Sequence, residues 1–176
     1  MKNILFALVC ILTLTTRLSA ADVQVRFSPR GGCTDAIVGT ISHAKQSILV
    51  QAYTFTSKPI AQALVDAHKR GVKVSVILDS SQRTDQYSSA TFLSRAGIAT
   101  AIDAEHNIAH DKIMVIDGVQ IITGSFNFTK AAEESNAENL LIITDKKIAE
   151  AYIDNWYRHA RHSKKYAEPR RKWKLF

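Results

Sequence analysis

Asp117-Gly118 constrains the fold of this chain more than any other pair of residues, because it sits between two largely apolar stretches, 113–116 and 119–122. Asp-Gly in that setting signals a two-residue hairpin loop, since a type I′ turn needs positive φ at both central positions. Such a loop pairs Ile116 with Val119, Met114 with Ile121 and Lys112 with Thr123, and continuing the count sets His110 opposite Ser125. Side chains alternate between faces along a strand, so His110, Lys112, Thr123 and Ser125 are expected on one face. Ile113, Val115 and Ile122 are expected on the other. Asn127 has the parity of Ser125, and Gly124 is a point at which regular pairing can stop.

An imidazole, an ammonium, a hydroxyl and an amide on one surface suit phosphoryl transfer. A phosphodiester needs cationic and neutral donors around its non-bridging oxygens, a nucleophile, and an acid for the leaving oxygen. Imidazole serves as nucleophile or acid because its unperturbed pKa lies near 6.5. Lys112 supplies a point charge, and Ser125 and Asn127 supply donors without further charge. Singly, each of these residues is ordinary on a strand face; together they describe a site.

The spacing His110-x-Lys112-x4-Asp117-x6-Gly124-Ser125-x-Asn127 matches, without a gap, the HxKxxxxDxxxxxxGSxN signature of the phospholipase D superfamily. One copy in a short chain with an apolar N-terminus most resembles the small single-motif bacterial endonucleases of that superfamily, and the layout is similar over residues 22–160. The resemblance implies a histidine nucleophile that forms a phosphohistidine, a second histidine as general acid, and no metal or other cofactor. By position it implies His110 as nucleophile or acid, with Lys112, Ser125 and Asn127 binding phosphate. Asp117 and Gly124 also belong to the signature; Asp117 lies in the turn, off the strand-face parity, which argues for a structural role. Glu138, eleven residues after Asn127, stands where the family often has an acid that orients the histidine, with Glu133 and Glu134 as nearby rivals. Two histidines at one phosphorus, from a chain with one signature, imply a symmetric homodimer. The alternative is a monomer in which His43, His68 or His106 is the acid.

The length is that of one domain. Residues 1–21 form a separate segment: Lys2 gives a positive start, Ile4 to Leu14 an apolar run, and Ser19-Ala20-Ala21 small residues for cleavage. They read as a signal peptide cut after Ala21, which implies a periplasmic or secreted protein without stable membrane association; a retained anchor is the alternative. Cleavage lowers the net charge from +7 to +5 and removes Cys10, leaving Cys33 either buried or bridging two chains. From Arg158 onward there are eight Lys or Arg and one acid, Glu168, so residues 161–176 read as a basic tail for a polyanion such as nucleic acid. A solvated solubility tail is the alternative.

Along the chain, strands are expected at 23–27, 47–55, 72–78, 98–102 and 139–144 beside the hairpin. Helices are expected at 34–45, from Ser57 to Gly71, at 84–95, and from Asp145, the last with Ile148, Tyr152, Ile153 and Trp156 inward. This alternation indicates an α/β fold, a mixed β-sheet flanked by helices on both faces. His106 and His110 are four apart, but position 107 is Asn and the context is strand, so a zinc motif is not indicated. Asp103, Glu105 and Asp111 show no two-metal cage, His43 and His68 read as helix-surface or core-edge residues, and His159 and His162 fall with the basic tail. The expected function is hydrolysis of DNA or RNA by a metal-independent endonuclease of little sequence preference. A phospholipase D-type lipid enzyme and a nucleic-acid-binding module with a vestigial site are the alternatives.

Overall fold

A computed structural model describes residues 21–169; the expected signal peptide, up to Ala20, and the chain from position 170 onward lie outside the described residues. The elements in chain order are β1 (Asp22–Ser28), α1 (Cys33–Ser42), β2 (Ser47–Ala52), α2 (Lys58–Lys69), β3 (Lys73–Asp79), α3 (Ala90–Arg95), β4 (Ala99–Asp103), β5 (Lys112–Ile116), β6 (Gln120–Gly124), α4 (Lys130–Glu134), β7 (Glu138–Thr144), α5 (Lys146–His162) and β8 (Lys164–Lys165). The strands form one mixed sheet in the order β1-β7-β6-β5-β2-β3-β4-β8. β2, β3 and β4 run parallel, and β5, β6, β7 and β1 alternate antiparallel from β2 outward.

Helices lie on both faces of the sheet, as the sequence pattern indicates, while the edge strand β1 stays exposed. α1 buries Cys33, Ile37 and Ile41 at a spacing of four, and α2 buries Ile60, Ala61, Leu64, Val65 and Ala67. These helices pack over Ile48, Val50, Val74, Val76, Met114, Ile116 and Ile122. Across the sheet, Ala149, Tyr152 and Ile153 of α5 cover Leu49, Val115, Ile121 and Ile143. Trp156 is buried on α5, and its indole N–H donates to the Val50 carbonyl at 2.9 Å. The bond satisfies the ring's polar atom while the ring fills the layer, a burial worth about 2–3 kcal/mol. Ile148, expected inward, is 36% exposed; the inward stripe begins at Ala149 instead. Cys33 is a buried free thiol, and burial pushes its pKa up.

The hairpin forms at Asp117-Gly118 with a register one residue from the expected one. Asp117 and Gly118 have φ of 52° and 69°, and the Val119 N–H donates to Ile116 O at 3.1 Å, as a two-residue loop requires. The ladder then pairs Ile116 with Gln120, Val115 with Ile121 and Met114 with Ile122. Val119 is the extra residue, because its carbonyl accepts the Asp145 N–H at the start of α5 instead of closing the ladder. A one-residue slip exchanges faces. Ile122 therefore joins Met114 in the α1–α2 layer, and Thr123 leaves the face assigned to Lys112.

Two other expectations change. The helix expected from Thr84 is confined to Ala90–Arg95, after a 3₁₀ turn at Ser80–Arg83. The Asp85 carboxylate accepts the Tyr87 N–H, and the Ser88 hydroxyl accepts the Ala90 N–H, so short polar side chains hold the intervening segment in turns. At the other end, the boundary drawn at 160 falls inside α5. Beyond it β8 pairs with β4, Tyr166 is buried with its hydroxyl 2.7 Å from Thr91 Oγ1, and Arg95 pairs with Glu168.

The Asp117 carboxylate ties the hairpin to the α1–β2 connection by accepting N–H bonds from Lys45, Gln46 and Ser47 at 2.9, 2.7 and 3.0 Å. Burial pushes its pKa up, but these donors outweigh burial and hold it below the usual carboxylate range. Asp117→Ala should lower stability by about 1–3 kcal/mol in urea unfolding at neutral pH. Because the folded-state pKa is depressed, this contribution is complete above the unfolded value of about 3.9 and is lost as pH falls through the folded value. Wild type and variant should therefore converge in acid; a gap that persists there would assign the effect to packing.

Candidate active site

Strand direction brings the chemistry to one edge of the sheet. The parallel strands β2, β3 and β4 end there, as does β6, whereas the antiparallel strands β5 and β7 begin there. Ligand sites of open α/β sheets favour the carboxyl ends of parallel strands. This edge carries Tyr53, Asp79, Asp103, His110, Lys112, Ser125, Asn127 and Glu138.

His110 is exposed just before β5, and Lys112, its first residue, is 7% exposed. The Lys112 ammonium donates to the His110 carbonyl at 2.8 Å and lies 3.2 Å from the ring Nε2. An ammonium has donors only, so in this contact the ring nitrogen is the acceptor. The His110 ring packs on Tyr53 at a centroid distance of 4.7 Å, and Lys112 Nζ stands 5.5 Å from the same aromatic centroid. Burial pushes the Lys112 pKa down, against the opposing charges of Asp111 and Glu138. The segment entering His110 is fixed by buried Asp79, whose carboxylate accepts the Ala109 N–H at 2.7 Å and the Ser81 N–H at 2.9 Å.

Ser125 and Asn127 stand beyond the end of β6, where no ladder partner opposes them. Asn139 shapes their loop: its N–H donates to Ser125 Oγ at 3.0 Å, its side-chain oxygen accepts the Ser125 N–H at 3.3 Å, and its carbonyl accepts the Phe126 N–H at 3.2 Å. Gly124 permits this approach. It has φ of 141°, and a Cβ there would lie 2.3 Å from the Asn139 carbonyl oxygen. Asn127 Oδ1 is buried without a hydrogen-bond partner. Glu138 begins β7, accepts from the Asn136 side chain at 3.1 Å, and lies near enough to favour the Lys112 charge. Glu133 is engaged elsewhere, accepting the N–H groups of Gly32 and Thr34 at 3.0 and 2.7 Å.

The structure thus gathers His110, Lys112, Ser125, Asn127 and Glu138 at one edge and separates Thr123 from them. Sequence reasoning missed Tyr53, Asp79 and Asn139, which act through contacts between distant segments and have no local signature. It also dispersed three histidines. His106, His159 and His162 surround Asp103, apart from His110. Burial pushes the Asp103 pKa up, but bonds from His159, the Glu105 N–H and His162 outweigh it and bring it to about 2.

Such an edge, with an exposed imidazole beside a partly desolvated cation and uncharged donors, is fitted to hold a phosphoryl group. The sequence profile of the family described as cardiolipin synthase, PLD-like domain, matches residues 37–159. The chain therefore belongs to the phospholipase D superfamily, and it is a phosphodiesterase of that class. A phospholipase D of Rickettsia prowazekii (strain Madrid E) is 44% identical over 142 residues, 81% of this chain and 69% of its own length. A mitochondrial cardiolipin hydrolase of Xenopus laevis is 38% identical over 109 residues, 62% of this chain and 52% of its own. Among solved structures, Nuc from Salmonella typhimurium, a phospholipase D family member, matches with a TM-score of 0.80 at 39% identity, covering 84% of this chain and 99% of that one.

The depressed Lys112 pKa has a direct readout. An Nζ-detected NMR titration should show Lys112 losing its proton below the free-lysine value of about 10.4. Between the two values the unfolded chain holds more protons, so the Lys112 contribution to stability should rise with pH across that window. A transition at or above the free-lysine value would mean that Asp111 and Glu138 outweigh burial.

Proposed function

We propose that this chain is an exported, metal-independent endonuclease that hydrolyses DNA or RNA with little sequence preference, through a phosphohistidine at a site shared by two copies. The carrying observation is that a single histidine stands with the phosphate-binding groups. The other five are engaged or remote: His43 bonds the Gly39 carbonyl at the end of α1, His68 lies on α2 against Gly97, and His106, His159 and His162 face Asp103. In-line displacement with a histidine on each side of phosphorus therefore calls for His110 of the partner subunit.

In this reading His110 Nε2 attacks phosphorus, and the P–O bond to the leaving strand breaks. His110 of the partner subunit protonates the departing oxygen. Water, deprotonated by that same imidazole, then attacks the phosphohistidine and frees His110. Lys112, Ser125 and Asn127 hold the non-bridging oxygens, with Asn127 directing its amide to them. Glu138 supports the charged state of the cluster, and Asp117 and Gly124 act structurally. The net charge of the chain from Asp22 onward, +5 once Lys2 and Arg17 are removed from +7, favours a polyanionic substrate. The apolar N-terminal run supports export.

A second reading, a lipid phosphodiesterase, is favoured by the names of the Rickettsia and Xenopus relatives. The chemistry at phosphorus would be the same. Chains beginning at Asp22, assayed on single- and double-stranded DNA, RNA, and vesicles of phosphatidylcholine or cardiolipin, should cleave nucleic acid. His110→Asn should lose on the order of 10³-fold or more and fail to trap labelled phosphate when quenched in denaturant at alkaline pH, where a phosphohistidine survives. Lipid turnover with intact nucleic acid would establish the second reading; undiminished cleavage by the variant would remove His110 from the mechanism.

The shared site makes a separate demand. A purified mixed dimer of wild-type and His110→Asn chains should fall to the level of the doubly substituted dimer. Retention of half the wild-type rate or more would show that each chain carries an independent site.

A further inference from the structure

We propose that Asp103, His106, His159 and His162 form a binding site for a divalent transition metal, best matched to Zn²⁺, that staples the end of α5 to the segment leading into His110. The four side chains come from three places: Asp103 ends β4, His106 lies in the following loop, and His159 and His162 stand one helical turn apart on α5. One ligand atom from each lies within 4.8 Å of all the others.

The distances from Asp103 bracket those of a tetrahedral centre. Asp103 Oδ2 is 2.7 Å from His159 Nδ1, 3.1 Å from His162 Nε2 and 3.5 Å from His106 Nδ1. Ligand atoms bound to zinc at its usual distances are about 3.3 Å apart. The ring centroids form a nearly equilateral triangle, at 4.9, 5.3 and 5.4 Å. Three imidazoles radiating from one tetrahedral ion would place their centroids about 5 Å apart.

Hydrogen bonding accounts for His159 and His162 but leaves His106 at the limit of contact. Oδ2 takes His159 Nδ1 and His162 Nε2, one for each of its lone pairs, while His106 Nδ1 stands 3.5 Å from both carboxylate oxygens. The other oxygen, Oδ1, is already aimed by the Glu105 N–H at 3.0 Å. His159 presents Nδ1 to the cluster, while its Nε2 lies 4.0 Å from Asp111 Oδ2, the kind of outer carboxylate that orients metal-bound imidazoles. Imidazole and carboxylate donors without thiolate suit zinc and its neighbours over Mg²⁺ or Ca²⁺. Four protein ligands close a tetrahedron, so the ion would be structural and would take no part in phosphodiester cleavage. The Asp103 side chain is fully buried, whereas His106 is 47% exposed, which gives the ion a way in from solvent. The proposal does not depend on which phosphodiester the neighbouring site cleaves.

The test uses tag-free protein stripped by chelator, dialysed against Zn²⁺ and then against metal-free buffer, with metal measured by mass spectrometry. Wild type should retain one Zn²⁺ per chain and gain roughly 5–10 °C in Tm. Co²⁺ in its place should give the intense visible bands of a tetrahedral complex. His106→Asn and His162→Asn, each checked for folding by circular dichroism, should lose the bound metal and the Tm gain; His43→Asn should keep both. The exposed position of His106 makes that variant the one least prone to misfold. Substoichiometric zinc in the wild type, or full retention in both variants, would overturn the proposal and leave a hydrogen-bonded histidine cluster.

Discussion

The site depends on the desolvation of a single ammonium. β5 has no free face: β2 and β6 flank it, the α1–α2 layer covers one side, and α5 covers the other. All five of its residues are buried, including Lys112. A lysine at the first position of such a strand can only direct its charge along the strand axis, out of the edge at which β2, β3, β4 and β6 end. Tyr53, Asp111, Glu138 and the His110 carbonyl are the groups that make this position tolerable. The same groups surround His110, so the environment needed to bury the cation also organises the reactive edge.

Around that edge, precision comes from main-chain contacts between distant segments. Asp79 aims the approach to His110, Asn139 shapes the Ser125 loop, and Asp117 locks the hairpin to the start of β2. Each is a short polar side chain or amide bonded to backbone N–H groups. Such contacts restrict backbone position more closely than side-chain packing can, and a phosphoryl-transfer site tolerates little displacement. Two of these anchors are carboxylates whose negative charge offsets the basic balance of the chain.

Much of this could be read from the sequence, and the limits have physical causes. The α/β alternation, the sheet with helices on both faces and the turn at Asp117-Gly118 were legible because each depends on local pattern. The hairpin register was not, because the Val119 carbonyl is claimed by Asp145, twenty-six residues later. That contact moved Thr123 and Ile122 to opposite faces from those expected. The set His110, Lys112, Ser125 and Asn127 was nevertheless recoverable from its spacing, since their common edge follows from strand direction rather than exact pairing. The grouping of His159 and His162 with Asp103 could not be seen in the same way. It depends on α5 returning along the sheet from the far end of β7, and charge counting alone assigned those histidines to a tail.

The approach of Gly124 to Asn139 has a consequence for reading mutational tolerance. A Cβ at position 124 would meet a main-chain carbonyl, so no change of side chain at 139 could relieve the clash. In a saturation screen, position 124 would rank with the residues proposed to carry the chemistry, without a compensating partner, although glycine has no side chain to offer a substrate. Indispensability at this edge therefore arises from two sources, chemistry and the space between two backbones, and a map of intolerant positions would superimpose them.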